Sequence, residues 1–215
     1  QPKYVEKLRK VIKWKEGGLF ELDLSYFRSA TQGFIEYKDN IPVVPPLFGE
    51  KMEQEFGAAR KKEEPLTQDH KDLAASVQRF TEETIFHILK GLHERTGLKK
   101  VCIAGGVAQN SVANGKLTRN TPFTEIYIPS AGHDAGISMG AAQYVYHHEL
   151  NQQRVSPIFS AYTGARFSNE EIEAILKAKN IAYTRYSDDE LYQKVADRLI
   201  NAGVIGWFSG RAEFG

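Results

Sequence analysis

The sequence predicts an α/β fold, and three features carry that prediction. Two strand-like runs, residues 101–104 and 125–128, each break at small residues and are each followed by a helical pattern. The breaks are Gly105-Gly106 and, after Pro129, Gly132-His133-Asp134-Ala135-Gly136. Ahead of them, residues 67–93 form one long amphipathic pattern. Strands that alternate with helices imply a parallel or mixed sheet with covered faces.

Taken in order, residues 2–15 place Val5, Leu8, Val11, Ile12 and Trp14 at near-helical spacing, which predicts a short helix closed by Gly17-Gly18. Residues 19–24 alternate apolar and polar side chains as a half-buried strand does. Tyr26, Phe27, Phe34 and Tyr37 follow and read as packing aromatics, since no basic groove surrounds them for stacking nucleic-acid bases. Residues 40–64 carry Pro42, Pro45 and Pro46 and predict an irregular surface loop. Its Arg60-Lys61-Lys62 run reads as a solvated face. The helix over 67–93 carries a stripe of Leu73, Val77, Phe80, Ile88 and Leu92. Thr67 or Asp69 serves as its N-cap and Gly97 ends it. The small Ala74-Ala75-Ser76 step would admit a close neighbour. His70, His87 and His93 lack a partner at metal-pair spacing and read as surface or capping residues.

Next come a strand over 99–104, a helix over 107–118, a strand over 125–128 and a helix over 136–150. Residues 151–164 read as a boundary. Beyond it, Ser168 and Glu171 form a capping box that opens a helix through Lys179, and a second helix covers 188–201. Short strands are expected at 181–184 and 204–208. So few elements cannot close a core, so this piece reads as the opening of a second domain.

Both glycine turns suit an anion, because glycine permits close backbone approach and a following helix directs its N–H groups and dipole toward negative charge. Neither turn has the spacing of a Walker loop or a dinucleotide fingerprint. Composition narrows the partners. The chain of 215 residues has 28 basic and 27 acidic side chains and a net charge of +1, which argues against nucleic acid or an anionic membrane as partner. No apolar run approaches the ~20 residues of a membrane helix. The lone cysteine, Cys102, lies in a strand run and predicts a buried, inert thiol in a reducing, cytoplasmic setting.

A resemblance joins these pieces. The matching stretches are Pro65-Leu66-Thr67, Asp72 to Gln78, Ala104 to Gly115, Asp134-Ala135-Gly136 with Gly140-Ala141-Ala142, and Phe167 to Ile172. Gly210-Arg211-Ala212-Glu213-Phe214-Gly215 is similar to the start of a GRxEFGPRALGxRS motif. Together they resemble the carbamoyltransferases that include nodulation protein NodU and the enzymes that carbamoylate cephem and aminoglycoside antibiotics.

The resemblance implies that residues 1–155 are the second half of an actin-like domain of the ASKHA, tRNA threonylcarbamoyl-transferase-like kind. It implies that residues 156–215 begin a smaller α+β domain that forms carbamoyl-adenylate. The implied activity uses ATP and carbamoyl phosphate and passes the carbamoyl group to a hydroxyl or amine of a small-molecule acceptor, with a homo-oligomer left open. Gly105, Gly106, Asn110, Gly132 and Gly136 would bind the nucleotide, Asp134 and Arg211 would be catalytic, and Asp134 would hold a divalent metal, Fe(II). The family's HxxxH metal motif is absent here, His147 and His148 are adjacent, and His133 stands where the family is usually small or polar. The piece is therefore expected to be inactive by itself. The alternatives are an actin-like small-molecule kinase, which would not need the Gly210–Gly215 run, a tRNA-modifying homologue, which would need a basic surface, and a non-catalytic nucleotide-binding module.

Overall fold

The computed structural model describes residues 1–214, with backbone only at 31 and 32. Gly215, the last residue of the Gly210–Gly215 run, lies outside them. The fold is mixed α/β, and packing divides it into two units. The first comprises Gln1–Ile103 with Ala108–Tyr127, and the second Ala104–Val107 with Ile128–Gly215.

In the first unit, helix α1 (Val5–Val11) passes directly into strand β1 (Ile12–Lys15), which pairs antiparallel with β2 (Leu19–Leu22). The helix expected through residue 15 thus stops at Val11, and Trp14 sits on a strand. The cause is local: β-branched Val11-Ile12 favours extended backbone, and Gly17 and Gly18 at φ +68° and +77° make a hairpin turn rather than a helix stop. A second hairpin joins β3 (Glu36–Lys38) to β4 (Ile41–Val43) through Asp39 and Asn40, both at positive φ. Between the hairpins lies the short helix α2 (Ser29–Gln32), and after them α3 (Glu50–Phe56). The loop expected over 40–64 therefore contains a strand and a helix. Pro42 is tolerated because a two-stranded ribbon leaves half its backbone donors unpaired.

Helix α4 (Gln68–Thr96) is the backbone of this unit. Thr67 caps it in a reciprocal box with His70, and Gly97 in the left-handed conformation closes it, as expected. Its buried face is more polar than the apolar stripe implied. Asp72, Ser76, Phe80 and Thr84, four residues apart, turn inward, whereas Val77 is 46% exposed. The Ser76 hydroxyl donates to the Asp72 carbonyl (2.6 Å) and accepts from the Tyr4 N–H (2.9 Å), and Thr84 accepts from Trp14 Nε1 (3.1 Å). Of the small step at 74–76 only Ser76 receives a neighbour, while Ala74 and Ala75 are exposed. Trp14 stacks on Phe80 and His87, at ring separations of 5.8 and 4.9 Å.

Strands β5 (Lys100–Cys102) and β6 (Glu125–Tyr127) form a parallel pair in the register Lys100↔Glu125, Val101↔Ile126, Cys102↔Tyr127. Their crossover was expected to hold one helix over 107–118. It holds instead a 3-10 turn (Gly106–Gln109), α5 (Ser111–Asn114) and α6 (Leu117–Asn120), because Asn110 starts a fresh helix and Gly115 ends it. Leu117 and Phe123 are fully buried here. Cys102, expected to be buried, is exposed: side chains alternate along β5, so Val101 faces inward while Lys100 and Cys102 lie on the opposite, bare face.

The second unit contains α7 (Gly136–Tyr144), extended by a wide π turn over Val145–Glu149, then α8 (Asn169–Ala178) and α9 (Asp188–Ile200). Ser168 and Glu171 form the expected capping box, and Ser187 with Glu190 forms a second. The strands expected at 181–184 and 204–208 have no ladder partner among the described residues. The β-type pairing here is a single bridge, Arg166↔Arg211.

Candidate functional site

The second unit gathers three motif pieces that lie far apart in sequence. The Gly105 N–H donates to the Gly132 carbonyl at 2.6 Å, so the two glycine turns are tied to each other directly. Gly105 needs its lack of a side chain, since its φ is +107°. Gly106 does not: its φ is ordinary, and a Cβ built there would meet no protein atom within 4 Å. The surface beside Gly106 is open. Gly136 is fixed by packing instead, because a Cβ would run into the Ala131 carbonyl.

Around the second turn, donors expected to face an anion are engaged locally. The Gly136 N–H donates to the His133 carbonyl (2.9 Å), the Ile137 N–H to the Asp134 carbonyl (3.2 Å) and the Ala135 N–H to His133 Nδ1 (3.3 Å). His133, the residue that departs from the family pattern, thereby caps its own turn. Asp134 is exposed, and Gly132 and Ala131 behind it are buried.

The third piece is the run from Gly210. It lies along residues 161–166, with the Ala212 N–H donating to the Ala165 carbonyl (2.8 Å), the Gly164 N–H to the Ala212 carbonyl (2.9 Å) and the Phe214 N–H to the Ala161 carbonyl (2.7 Å). The Ser130 hydroxyl reaches the Phe214 carbonyl at 3.4 Å, which ties this run to the segment that leads into Gly132. Arg211 is exposed, at the edge of the Arg166↔Arg211 bridge. Its Nη1 donates to the Gly164 carbonyl at 2.8 Å, which braces the guanidinium and leaves its other N–H groups for a ligand.

Asn110 belongs to the first unit, where it enters a polar network that sequence reasoning missed. Its Oδ1 caps α5 by accepting from the Ala113 N–H (3.1 Å). The same amide pairs reciprocally with Gln78 on α4, Nδ2 to Gln78 Oε1 and Gln78 Nε2 to Oδ1, both at 3.0 Å. Gln78 Nε2 also donates to Glu82 (3.0 Å), and Lys116 Nζ contacts both Glu82 oxygens at 2.7 Å. Glu82 is 3% exposed. Burial pushes its carboxyl upward, but the hydrogen bonds from Lys116 and Gln78 outweigh burial and hold it below its ordinary value. The available signal was the i,i+4 spacing of Gln78 and Glu82 on one helix. It does not tell a buried carboxylate from a solvated one.

The remaining candidates have structural roles. His70, His87 and His93 bond Thr67, the Leu19 carbonyl (2.9 Å) and the Leu98 carbonyl (2.8 Å) respectively. Arg60 folds onto the carbonyls of Lys61, Lys62 and Glu64 rather than presenting a phosphate site. Among the described residues no three His, Cys, Asp or Glu side chains converge as a metal requires. The residues present therefore do not complete the metal centre that the resemblance implies around Asp134. No helix among the described residues is long and apolar enough to cross a membrane.

Comparison with known proteins agrees with the motif reading. Residues 8–143 match the family described as Carbamoyltransferase N-terminus. Uncharacterized protein sll1178 of Synechocystis sp. is 41% identical across 100% of this chain and 34% of its own length. Nodulation protein NolO of Bradyrhizobium diazoefficiens is 37% identical over 73% of the chain and 29% of its own length. Nodulation protein NolNO of Sinorhizobium fredii is 39% identical over 73% of the chain and 23% of its own length. The chain thus spans about a third or less of these relatives.

Proposed function

Because the chain belongs to the carbamoyltransferase family, we propose that the full-length protein is an enzyme that moves a carbamoyl group from carbamoyl phosphate to a hydroxyl or amine of a small-molecule acceptor. The group travels as a carbamoyl-adenylate: carbamoyl phosphate, water and ATP give carbamoyl-adenylate, phosphate and pyrophosphate, and transfer to the acceptor releases AMP. In this reading the first domain is the later part of an actin-like transfer domain, and the segment beyond 155 begins the adenylate-forming domain of a cytoplasmic enzyme.

The observation that carries the reading is the Gly105–Gly132 hydrogen bond, which unites the two turns and leaves an open surface at Gly106. Glycine there has no packing or backbone reason, so close approach of a ligand is the physical use of the missing Cβ. ATP, when bound, supplies the adenylyl group that activates the carbamoyl carbon. The chain's own part is to hold it. In the second unit the Gly105-Gly106 backbone lies against the nucleotide. Asn110, in the first unit, is a nucleotide residue by family resemblance and has one amide N–H to offer. Arg211, braced on Gly164, offers paired N–H groups to a phosphate. Asp134 would be one ligand of the divalent metal. Since the described residues do not complete that centre, no step is drawn through it.

The test is carbamoyl-phosphate-dependent release of pyrophosphate from ATP by the full-length protein, with AMP affinity measured by calorimetry alongside. Gly106→Ala is expected to leave the melting temperature unchanged, since a Cβ there meets no protein atom within 4 Å, and to weaken AMP binding by tenfold or more. Unchanged AMP affinity would remove the turn from the site. Absence of carbamoyl-phosphate-dependent pyrophosphate release would overturn the proposed reaction.

A further inference from the structure

Two of the stretches that carry the family resemblance, residues 72–78 and 104–115, are joined by the reciprocal amide pair of Gln78 and Asn110. An Asn or Gln amide can sit either way round, and its neighbours decide which way. Here every neighbour has a fixed polarity. The Glu82 carboxylate, buried beneath Lys116, only accepts, so Gln78 must present Nε2 to it. That leaves Gln78 Oε1 toward Asn110, which must answer with Nδ2. From the other side the Ala113 N–H only donates, so Asn110 must present Oδ1 to α5. The two constraints agree. With Oδ1 accepting from Ala113 and Gln78, and one Nδ2 hydrogen given to Gln78, Asn110 retains one N–H, on a half-buried side chain.

We propose that Gln78, oriented by the Glu82–Lys116 pair, is a positioning residue for adenine-nucleotide binding: it holds the Asn110 amide in the one orientation that leaves a donor for the ligand. The inference rests on the reading of Asn110 as a nucleotide-binding residue. It adds three residues of the first unit, Gln78 and Glu82 on α4 and Lys116 just before α6, as ones that act on the nucleotide through Asn110. It also gives a reason for the buried Glu82 carboxylate: a carboxylate only accepts, so unlike an amide it cannot reverse its polarity, and it fixes one end of the chain of amides. A glutamine in place of Glu82 would let the whole chain flip.

The experiment is a double-mutant cycle on AMP affinity in the full-length protein, with melting temperatures recorded for each variant. Asn110→Ala is expected to raise the Kd for AMP about tenfold, which corresponds to ~1.4 kcal/mol. Gln78→Met, close in size but without an amide, should raise it about three- to tenfold. The double variant should be no weaker than Asn110→Ala alone, since Gln78 acts only through Asn110. Glu82→Gln keeps the size but gives up the fixed polarity, and serves if Gln78→Met does not fold. It should weaken AMP binding while leaving the Kd of an Asn110→Ala background unchanged. If Gln78→Met and Glu82→Gln bind AMP like wild type while Asn110→Ala does not, the positioning role is wrong and Asn110 keeps its own. Full additivity with Asn110→Ala likewise overturns it. If Asn110→Ala also binds AMP normally, the nucleotide role of Asn110 fails, and the inference fails with it.

Discussion

Glu82 is the residue at which burial and charge meet most sharply in this molecule. Its carboxyl is held below its ordinary value of 4.5, with burial opposing and the Lys116 and Gln78 hydrogen bonds prevailing. A carboxyl whose folded pKa is lowered contributes stability that is complete above its unfolded pKa and vanishes as pH falls through the folded one. Glu82→Gln should therefore cost about 1–2 kcal/mol near neutral pH, an order of magnitude reduced by the half-exposed Lys116 partner. The gap between wild type and variant should close as the pH is taken below 4.5. Urea midpoints of both proteins at pH 7 and pH 3 check this, and a gap that persists in acid would mean that the charge contributes nothing. This network was invisible in the sequence for a physical reason. Thr81-Glu82-Glu83-Thr84 reads as a solvated helix face, and only the arrival of Lys116 and Asn110 from the β5–β6 crossover buries one of its two acids and leaves the other half-exposed.

At the scale of elements, the tightest junction is the β1–β2 turn against α4. Gly17 and Gly91 meet backbone to backbone, so a Cβ on Gly91 would run into the Gly17 carbonyl, while Arg95 Nη1 (2.9 Å) bonds that same carbonyl. Alanine at a helical glycine usually gains ~0.5–1 kcal/mol. At Gly91 the sign should reverse, to a loss of about 1–3 kcal/mol. At Gly140 in α7, where a Cβ meets nothing within 4 Å, the usual gain should hold. Paired denaturant titrations of Gly91→Ala and Gly140→Ala check the contrast, and equal effects would refute it. Elements governed by local signals were legible in sequence: Thr67 and Gly97 bounded α4, and Ser168 with Glu171 opened α8. Elements governed by partners were not. The Gly17-Gly18 pair serves a helix stop or a hairpin equally well, and 204–208 has strand composition without a strand to pair with among the described residues. In the site, the glycine turns were legible because glycine is itself the signal. The engagement of α7's first donors by His133 and the exposure of Arg211 depend on geometry that no spacing records.

For the molecule as a whole, the candidate chemistry is distributed unequally. Gly105, Gly106, Gly132, Asp134, Gly136 and Arg211 lie in one unit, and Asn110 with its supporting network lies in the other. Without converging metal-ligating side chains among the described residues, the 215-residue chain by itself should show no carbamoyl-phosphate-dependent ATP turnover. It should also bind Fe(II) no more tightly than its Asp134→Ala variant. In the full-length protein the same variant should weaken Fe(II) binding at least tenfold. Calorimetric titration of both pairs decides it: equal affinities in the full-length pair would strip Asp134 of its metal role, and turnover by the short chain would show that its site is complete. One further consequence comes from the bare face of β5. Cys102 is the one cysteine in the sequence, and it is exposed there. The strand thus carries its own reporter: the rate at which a maleimide dye labels that thiol, read at the Cys102 peptide by mass spectrometry in this chain and in the full-length protein, measures whether the face is equally open in both.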